Sequence, residues 1–125
     1  MSALESSGVI PYRWSDGRLE VLLITSRRTG RWAIPKGWLE PGMTPLESAL
    51  LEAYEEAGVR GEARDELLGT YVRWGRTVGV YPLEVREVLD DWPEARQRRR
   101  AWFSLEEAVA EVEEDDLKAI LRAFL

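Results

Sequence analysis

The segment TPLESALLEAYEEAG, residues 44–58, constrains the fold most, because it carries the start and stop signals of one complete helix. Thr44 is a good N-cap, Pro45 suits the first helical position, and Glu47 at the third helical position completes a capping box. Gly58 suits the left-handed conformation that commonly ends a helix. The sequence therefore predicts a helix over residues 45–57.

The two sides of this predicted helix differ in chemistry. Small and aliphatic residues share one stripe at helical spacing, which we expect to be buried. They are Leu46, Ala49, Leu50, Ala53 and Ala57. Glu52, Glu55 and Glu56 share another side, where like charges repel and the helix dipole is negative. Either they form a solvated acidic face, or a divalent cation, which prefers oxygen ligands, offsets the repulsion.

Apolar segments on both sides of this helix predict an α/β sandwich (α+β type) with a mixed sheet, in a single domain over residues 1–125. Strands are expected over residues 6–14, 19–26, 32–35, 66–74, 77–88 and 101–103. Turns are expected over 15–18 and 27–31 and at Gly75, and polar loops over 36–43 and 89–100. Further helices are expected from a second capping box at 104–107 and over 115–125.

Composition excludes several classes of chemistry. The chain has no Cys and no His, so disulfides, thiol nucleophiles and histidine base catalysis are excluded. The net charge of −6 argues against a general nucleic-acid binder. There is no apolar run of about 18 residues and no pattern typical of a secretory signal. We therefore expect a cytoplasmic protein without a membrane partner.

The loop PKGWLEPG, residues 35–42, precedes the acidic helix and adds two candidate site residues. Gly37 allows close approach of the backbone, so that its carbonyl could join a metal shell formed by the helix. Lys36 is one of only two lysines and would supply a positive charge beside it. A metal site would therefore combine this loop with the carboxylates of the helix.

The same residues resemble the pattern of the Nudix hydrolase family, G-x5-E-x7-R-E-U-x-E-E-x-G-U, in which U is bulky and apolar. The positions that match in spacing and type are Gly37, Glu52, Glu55, Glu56, Gly58 and Val59. Ala53 is a smaller apolar residue at a U position, and Met43 and Leu51 replace the Glu and the Arg of the pattern. Residues 87–108 resemble the diphosphoinositol and diadenosine polyphosphate hydrolase branch.

This resemblance implies a Nudix-like α/β/α sandwich and hydrolysis of a diphosphate linkage, with Mg²⁺ or Mn²⁺ as cofactor. It implies Glu52, Glu55 and Glu56 as metal ligands, with the carbonyl of Gly37. Glu52 or Glu55 would orient or deprotonate the attacking water. Because Met43 and Leu51 depart from the pattern, the alternative is a module that binds nucleotide or polyphosphate without efficient turnover. A further carboxylate would come from Glu84, Glu87, Asp90 or Asp91, among which the sequence does not choose.

A phosphorylated small-molecule substrate needs positive partners, and arginine binds phosphate oxygens bidentately. Two arginine clusters are present, one formed by Arg27, Arg28 and Arg31 and one by Arg96, Arg98, Arg99 and Arg100. The alternative for each cluster is a solvated loop. We select Arg27, Arg28, Lys36 and Arg98 as substrate-binding candidates. Four tryptophans, Trp32, Trp38, Trp74 and Trp102, either include a base-stacking wall or pack in the core and at its rim. Trp38 is the candidate for substrate contact, because it lies in the glycine loop.

Overall fold

The computed structural model describes residues 3–124 and contains eight strands and three α-helices. The strands are β1 (Ser6–Ser15), β2 (Arg18–Thr25), β3 (Trp32–Ala33), β4 (Lys36–Trp38), β5 (Val59–Ala63), β6 (Gly69–Arg73), β7 (Arg76–Val88) and β8 (Arg100–Ser104). The helices are α1 (Pro45–Glu52), α2 (Leu105–Glu111) and α3 (Asp115–Arg122). A π-helical turn, Ala53–Ala57, continues α1.

The sheet is built around β1 and is mixed. β1 runs parallel to β7 and antiparallel to β2 and β4. The order β3-β2-β1-β7-β5 forms the main path, while β6 pairs with β7 and β8 pairs with β2. The predicted mixed sheet is confirmed.

The sheet buries a different apolar cluster on each face, because side chains alternate along each strand. On β1, Val9 belongs to the cluster that packs α1 and the π-helical turn, whereas Ile10 belongs to the cluster that packs α2 and α3. On β2, Leu22 belongs to the first of these clusters and Leu23 to the second. Helices therefore cover both faces, which confirms the expected α/β/α sandwich.

Both predicted capping boxes form. The Thr44 hydroxyl accepts a hydrogen bond from the Glu47 amide at 3.1 Å, and Glu47 Oε1 accepts one from the Thr44 amide at 2.8 Å. Ser104 and Glu107 repeat this arrangement at the start of α2. The small residues of the predicted stripe, Ala49, Ala53 and Ala57, are fully buried.

The prediction of a regular helix to residue 57 is wrong in its last turn, which widens into the π-helical turn Ala53–Ala57. Long-range partners fix this turn. Trp92 Nε1 donates to the carbonyl of Glu56 at 3.0 Å, and Arg100 Nη1 donates to the carbonyl of Ala57 at 2.9 Å. Gly58 then ends the helix at φ +66°, as its position predicts.

Three strand assignments are also corrected. β4 occupies part of the predicted loop over 36–43, because Lys36–Trp38 pairs with the start of β1. β5 was not predicted, because its residues are mostly exposed and polar and pairing with the long β7 alone makes them a strand. β6 begins at Gly69 instead of residue 66.

Two hairpin turns have positive φ at both central residues, as type I′ turns require. Asp16 (φ +51°) and Gly17 (φ +76°) join β1 to β2, and Trp74 (φ +49°) and Gly75 (φ +77°) join β6 to β7. A bulky aromatic residue is rare in this conformation. Within residues 3–124, no helix has the length and apolar character needed to cross a membrane.

Candidate active site

The site lies where β4 passes the end of α1. Gly37 pairs with Ser7 of β1, which places β4 beside the helix. The buried hydroxyl of Ser48 accepts a hydrogen bond from the Glu40 amide at 3.0 Å, which fixes the loop after β4 to α1. Sheet pairing and the helix together therefore hold the glycine loop against the acidic residues.

Gly37 and Glu52 are in close contact. A Cβ atom added to Gly37 would come within 2.5 Å of Glu52 Oε2 and 2.8 Å of Glu52 Cγ. Only glycine fits here without displacement of the carboxylate. The predicted approach of the Gly37 backbone to the acidic helix is therefore present.

Glu56 is buried, with a relative exposure of 8%, and its carboxylate is held from two sides. The Lys36 amide donates to Glu56 Oε1 at 3.2 Å, and Arg98 Nη2 lies 3.3 Å from Glu56 Oε2. Burial nevertheless raises the pKa of Glu56, although Arg98 and the Lys36 amide oppose this shift. This carboxylate therefore belongs to the site and not to a solvated face.

The charges of neighbouring acidic residues on this helix contribute to a raised carboxyl pKa. Burial, then the charges of Glu56 and Glu55, raise the pKa of Glu52 to about 8. Within residues 3–124, no three acidic side chains lie close enough together to hold a metal ion. Glu52 and Glu56 form the close pair, and Glu55 acts on Glu52 through its charge.

The donor set nevertheless fits a divalent cation. Two carboxylates that cannot both ionise easily lie at a glycine whose backbone Glu52 closely approaches, and oxygen atoms are the ligands that Mg²⁺ and Mn²⁺ prefer. A cation would replace the proton that these carboxylates otherwise retain. The roles of Glu52, Glu55, Glu56 and Gly37 as ligands stay predictions.

A cavity of about 220 Å³, here called the Gly37 cavity, adjoins this pair. Most of the predicted site residues line it, namely Arg27, Arg28, Lys36, Gly37, Trp38, Glu56 and Arg98. Glu52 and Glu55 are not among the lining residues. Residues distant in sequence are thus brought together around Glu56 and Gly37.

The predicted cationic residues have different environments. Lys36 is half-buried, and burial and the charge of Arg73 lower its pKa to about 8, against the opposing effect of Glu56. Arg98 is almost fully buried and contacts Glu56, Glu94 and the Thr25 carbonyl. Its nitrogen atoms are thus engaged by the protein, and its role as a substrate contact stays a prediction.

The other arginines of the second predicted cluster lie elsewhere. Arg100 donates to the carbonyls of Ala57 and Leu89, so it caps the end of the acidic helix. Arg99 stacks over Trp32, with 5.6 Å between its guanidinium carbon and the ring centroid. Arg96 lines a separate groove. Only Arg98 of this cluster reaches the Gly37 cavity.

Sequence reasoning missed residues from the β6–β7 hairpin and one carboxylate. Arg73 and Arg76 line the Gly37 cavity, although nothing near them in sequence indicates a site, and Trp74, one of the four tryptophans considered for base stacking, lies between them and lines it too. Glu94 is the downstream acid whose charge raises the pKa of both Glu52 and Glu56. It was not among the candidates at 84, 87, 90 and 91. Its ion pair with Arg98 at 2.8 Å connects it to the site, but nothing in the local sequence distinguishes it from the other acids of this loop.

Comparison with known proteins finds similar sequences among hydrolases. The chain is 34% identical over 127 residues to Nudix hydrolase 21, chloroplastic, of Arabidopsis thaliana, covering 94% of this chain and 64% of that protein. It is 43% identical over 102 residues to diphosphoinositol polyphosphate phosphohydrolase 3-beta of Homo sapiens, covering 76% of this chain and 61% of that protein. The chain thus spans less than two thirds of the length of these relatives.

A solved structure shares the fold. A C. elegans Ap4A hydrolase, as a binary complex, superposes with a TM-score of 0.82 over 96% of this chain and 95% of that chain, at 24% identity. Residues 6–124 also match the NUDIX domain family. This match covers nearly the whole chain and agrees with the glycine loop, the acidic helix and the α/β/α sandwich, so the chain belongs to the Nudix family.

Proposed function

We propose that this chain is a metal-dependent hydrolase that cleaves a diphosphate linkage in a phosphorylated small molecule, such as a dinucleoside polyphosphate or a similar polyphosphate. The observation that carries the proposal is the pair Glu52–Glu56 beside Gly37, next to a cavity lined by arginines and a lysine. The names of the human and plant relatives support hydrolase activity, and the human one supports a polyphosphate substrate.

Each residue has a role that follows from its position. Glu52, Glu56 and the Gly37 carbonyl would hold Mg²⁺ or Mn²⁺, and Glu55 adds negative charge. When bound, the cation supplies charge neutralisation for phosphate oxygens and acidifies a water molecule. Glu52 or Glu55 accepts the proton of the attacking water, since the chain has no histidine for this step. Arg98 and the Lys36 amide keep Glu56 in place.

The cationic residues at the cavity bind the substrate. Arg27, Arg28 and Lys36 line the Gly37 cavity together with Glu56, so phosphates held by them would lie next to the metal ligands. Their charges offset those of a polyanionic ligand in a protein whose net charge is −6. This arrangement favours a small polyphosphate over a nucleic acid.

A second function is favoured by one observation. Met43 and Leu51 stand where the family pattern has Glu and Arg, so the chain could bind nucleotide or polyphosphate without efficient turnover.

Incubation with Mg²⁺ or Mn²⁺ and a panel of substrates separates the two functions. The panel contains diadenosine tetraphosphate, a diphosphoinositol polyphosphate, a nucleotide sugar and a nucleoside triphosphate, and products are followed by phosphorus NMR. EDTA is the control.

The hydrolase proposal predicts products from at least one member of the panel and none with EDTA. Binding to a panel member without product formation, at metal concentrations that saturate the protein, would support the binding module. The panel also ranks the substrates, which the proposed metal ligands do not determine.

A further inference from the structure

Two tryptophans at the Gly37 cavity are more exposed than large apolar side chains usually are. The relative exposures of Trp38 and Trp74 are 54% and 56%, and both line the cavity. Each ring contacts an arginine that also lines it. The guanidinium carbon of Arg76 is 3.7 Å from the ring centroid of Trp38, and that of Arg28 is 4.5 Å from the centroid of Trp74.

These two arginines differ from Arg73 and Arg98, which also line the cavity. Arg98 and Arg73 pair with carboxylates of the protein, whereas within residues 3–124 no salt bridge is formed by Arg28 or Arg76. The chain has 23 acidic residues, so carboxylates are not scarce. An arginine that stacks on an indole keeps its N–H groups available at the edge of the guanidinium.

Trp74 is itself fixed by a chain of contacts. Arg73 is buried, pairs with Glu113 and Glu114, and places its guanidinium carbon 4.4 Å from the Trp74 centroid. The type I′ turn holds Trp74 at φ +49°, a conformation that bulky residues rarely adopt. Packing thus keeps this ring in an unfavourable backbone position, where it supports Arg28.

We propose that Trp38 and Trp74 are positioning residues that hold Arg76 and Arg28 at the cavity for phosphate oxygens, so that this part of the site recognises phosphates and not a nucleobase. The inference deepens the proposed function and rests on it for the identity of the substrate. It makes Arg76 a phosphate ligand, a role that the sequence did not indicate. It also reassigns Trp38 from direct contact with the substrate to support of an arginine.

Inorganic tripolyphosphate tests this directly, because it carries phosphates and no base. Its affinity is measured by titration calorimetry in metal-free buffer for wild type, Trp38→Leu, Trp74→Leu and the corresponding Phe variants. Each Leu variant is expected to bind roughly two- to fivefold more weakly, the size of a cation–π contact at an exposed site. Phe retains an aromatic face and should restore part of the loss. Trp14→Leu removes an equally exposed indole, at 57%, outside the cavity and should change nothing.

Double variants test whether each tryptophan acts through its arginine. Trp38→Leu added to Arg76→Met, or Trp74→Leu added to Arg28→Met, should weaken binding no further than the Met variant alone. The inference is overturned if wild type does not bind tripolyphosphate, or if the Leu variants bind it normally. It is also overturned if they lose affinity for adenosine and not for tripolyphosphate, since the rings would then stack on a base.

The two proposals fail in different ways. Normal tripolyphosphate binding by the Leu variants, in a protein that hydrolyses a member of the substrate panel, overturns only the role of the tryptophans. The expected pattern of tripolyphosphate binding, in a protein that hydrolyses none of the panel, overturns only the hydrolase.

Discussion

The backbone of Gly37 and the carboxylate of Glu52 lie so close that a Cβ atom at residue 37 would come within 2.5 Å of Glu52 Oε2. Gly37 belongs to a short strand fixed by pairing with β1, and Glu52 ends a helix anchored in the core. Any side chain at residue 37 must therefore displace the Glu52 carboxylate.

Gly37→Ala is accordingly expected to lower turnover and weaken the stabilisation of the fold by Mg²⁺, because Glu52 leaves its position beside the backbone. Steady-state kinetics and thermal melts with and without metal measure both effects. Gly42→Ala is the control, since its Cβ would enter open space and only its φ of +80° is unfavourable. Gly42→Ala should lose stability but keep its response to metal. Equal metal responses in both variants would contradict the role of Gly37.

The metal-free protein is expected to lose stability as the pH rises from about 4.5 to about 8. Burial and the charges of Glu56 and Glu55 raise the pKa of Glu52 to about 8, so the folded state binds more protons than the unfolded state in this range. The raised pKa of Glu56 acts in the same direction. The lowered pKa of Lys36, about 8, has the opposite effect only above pH 8, where the unfolded lysine is still protonated.

Urea denaturation between pH 5 and pH 8, with EDTA or with saturating Mg²⁺, measures this dependence. Metal should remove most of the decrease, because it replaces the retained proton. Glu52→Gln in EDTA should also show a flatter dependence than wild type. A free energy of unfolding that rises from pH 5 to pH 8 in EDTA would contradict the shared environment of Glu52 and Glu56.

Arg98→Met is expected to destabilise the fold by about 3 kcal/mol at pH 8, because it leaves the buried carboxylate of Glu56 without its cation. The loss should be smaller at pH 5, where Glu56 can be neutral. Urea denaturation measures the change. Arg96→Met, at an exposed position of the same loop, should stay within about 0.5 kcal/mol of wild type. Equal small losses in both variants would show that Arg98 does not hold Glu56.

Leu51→Arg restores the arginine of the family pattern and tests whether its absence limits this chain. Leu51 is half-buried in a groove with Tyr54 and Arg60, and Met43 is 43% exposed, so neither belongs to the core clusters described above. Both single variants, Leu51→Arg and Met43→Glu, should fold with normal stability. If the chain is an efficient hydrolase without this arginine, kcat of Leu51→Arg should equal that of wild type. A large gain in kcat would instead support the weakly active binding module.

Local sequence determined what could be predicted of this fold. The capping boxes at Thr44 and Ser104 depend on side chains three residues apart, and the Gly58 stop depends on one φ angle. The buried alanines follow from helical spacing. These features involve neighbours in sequence, so they were visible without the structure.

The parts that were missed depend on partners far away in the chain. β5 is a strand because of β7, and the π-helical turn is held by Trp92 and Arg100. Arg76 enters the site only because β4 and β7 both pair with the start of β1, which brings Arg76 to within 3.7 Å of the Trp38 ring centroid. The expected convergence of three carboxylates was derived from an ideal α-helix, and the π-helical turn changes that spacing after Glu52. Cytoplasmic location stays a prediction of the sequence.

The most direct test of the central claim is the Mg²⁺-dependent kcat of Glu56→Gln, measured on the best substrate of the panel beside Glu47→Gln. Both substitutions remove one negative charge from the same helical segment, but Glu47 only caps its start. Glu56→Gln is expected to lower kcat about a hundredfold or more, equivalent to roughly 3 kcal/mol of transition-state stabilisation, while Glu47→Gln keeps kcat near wild type. If Glu56→Gln hydrolyses the substrate as fast as Glu47→Gln does, the carboxylate pair is not the metal site and the account is wrong.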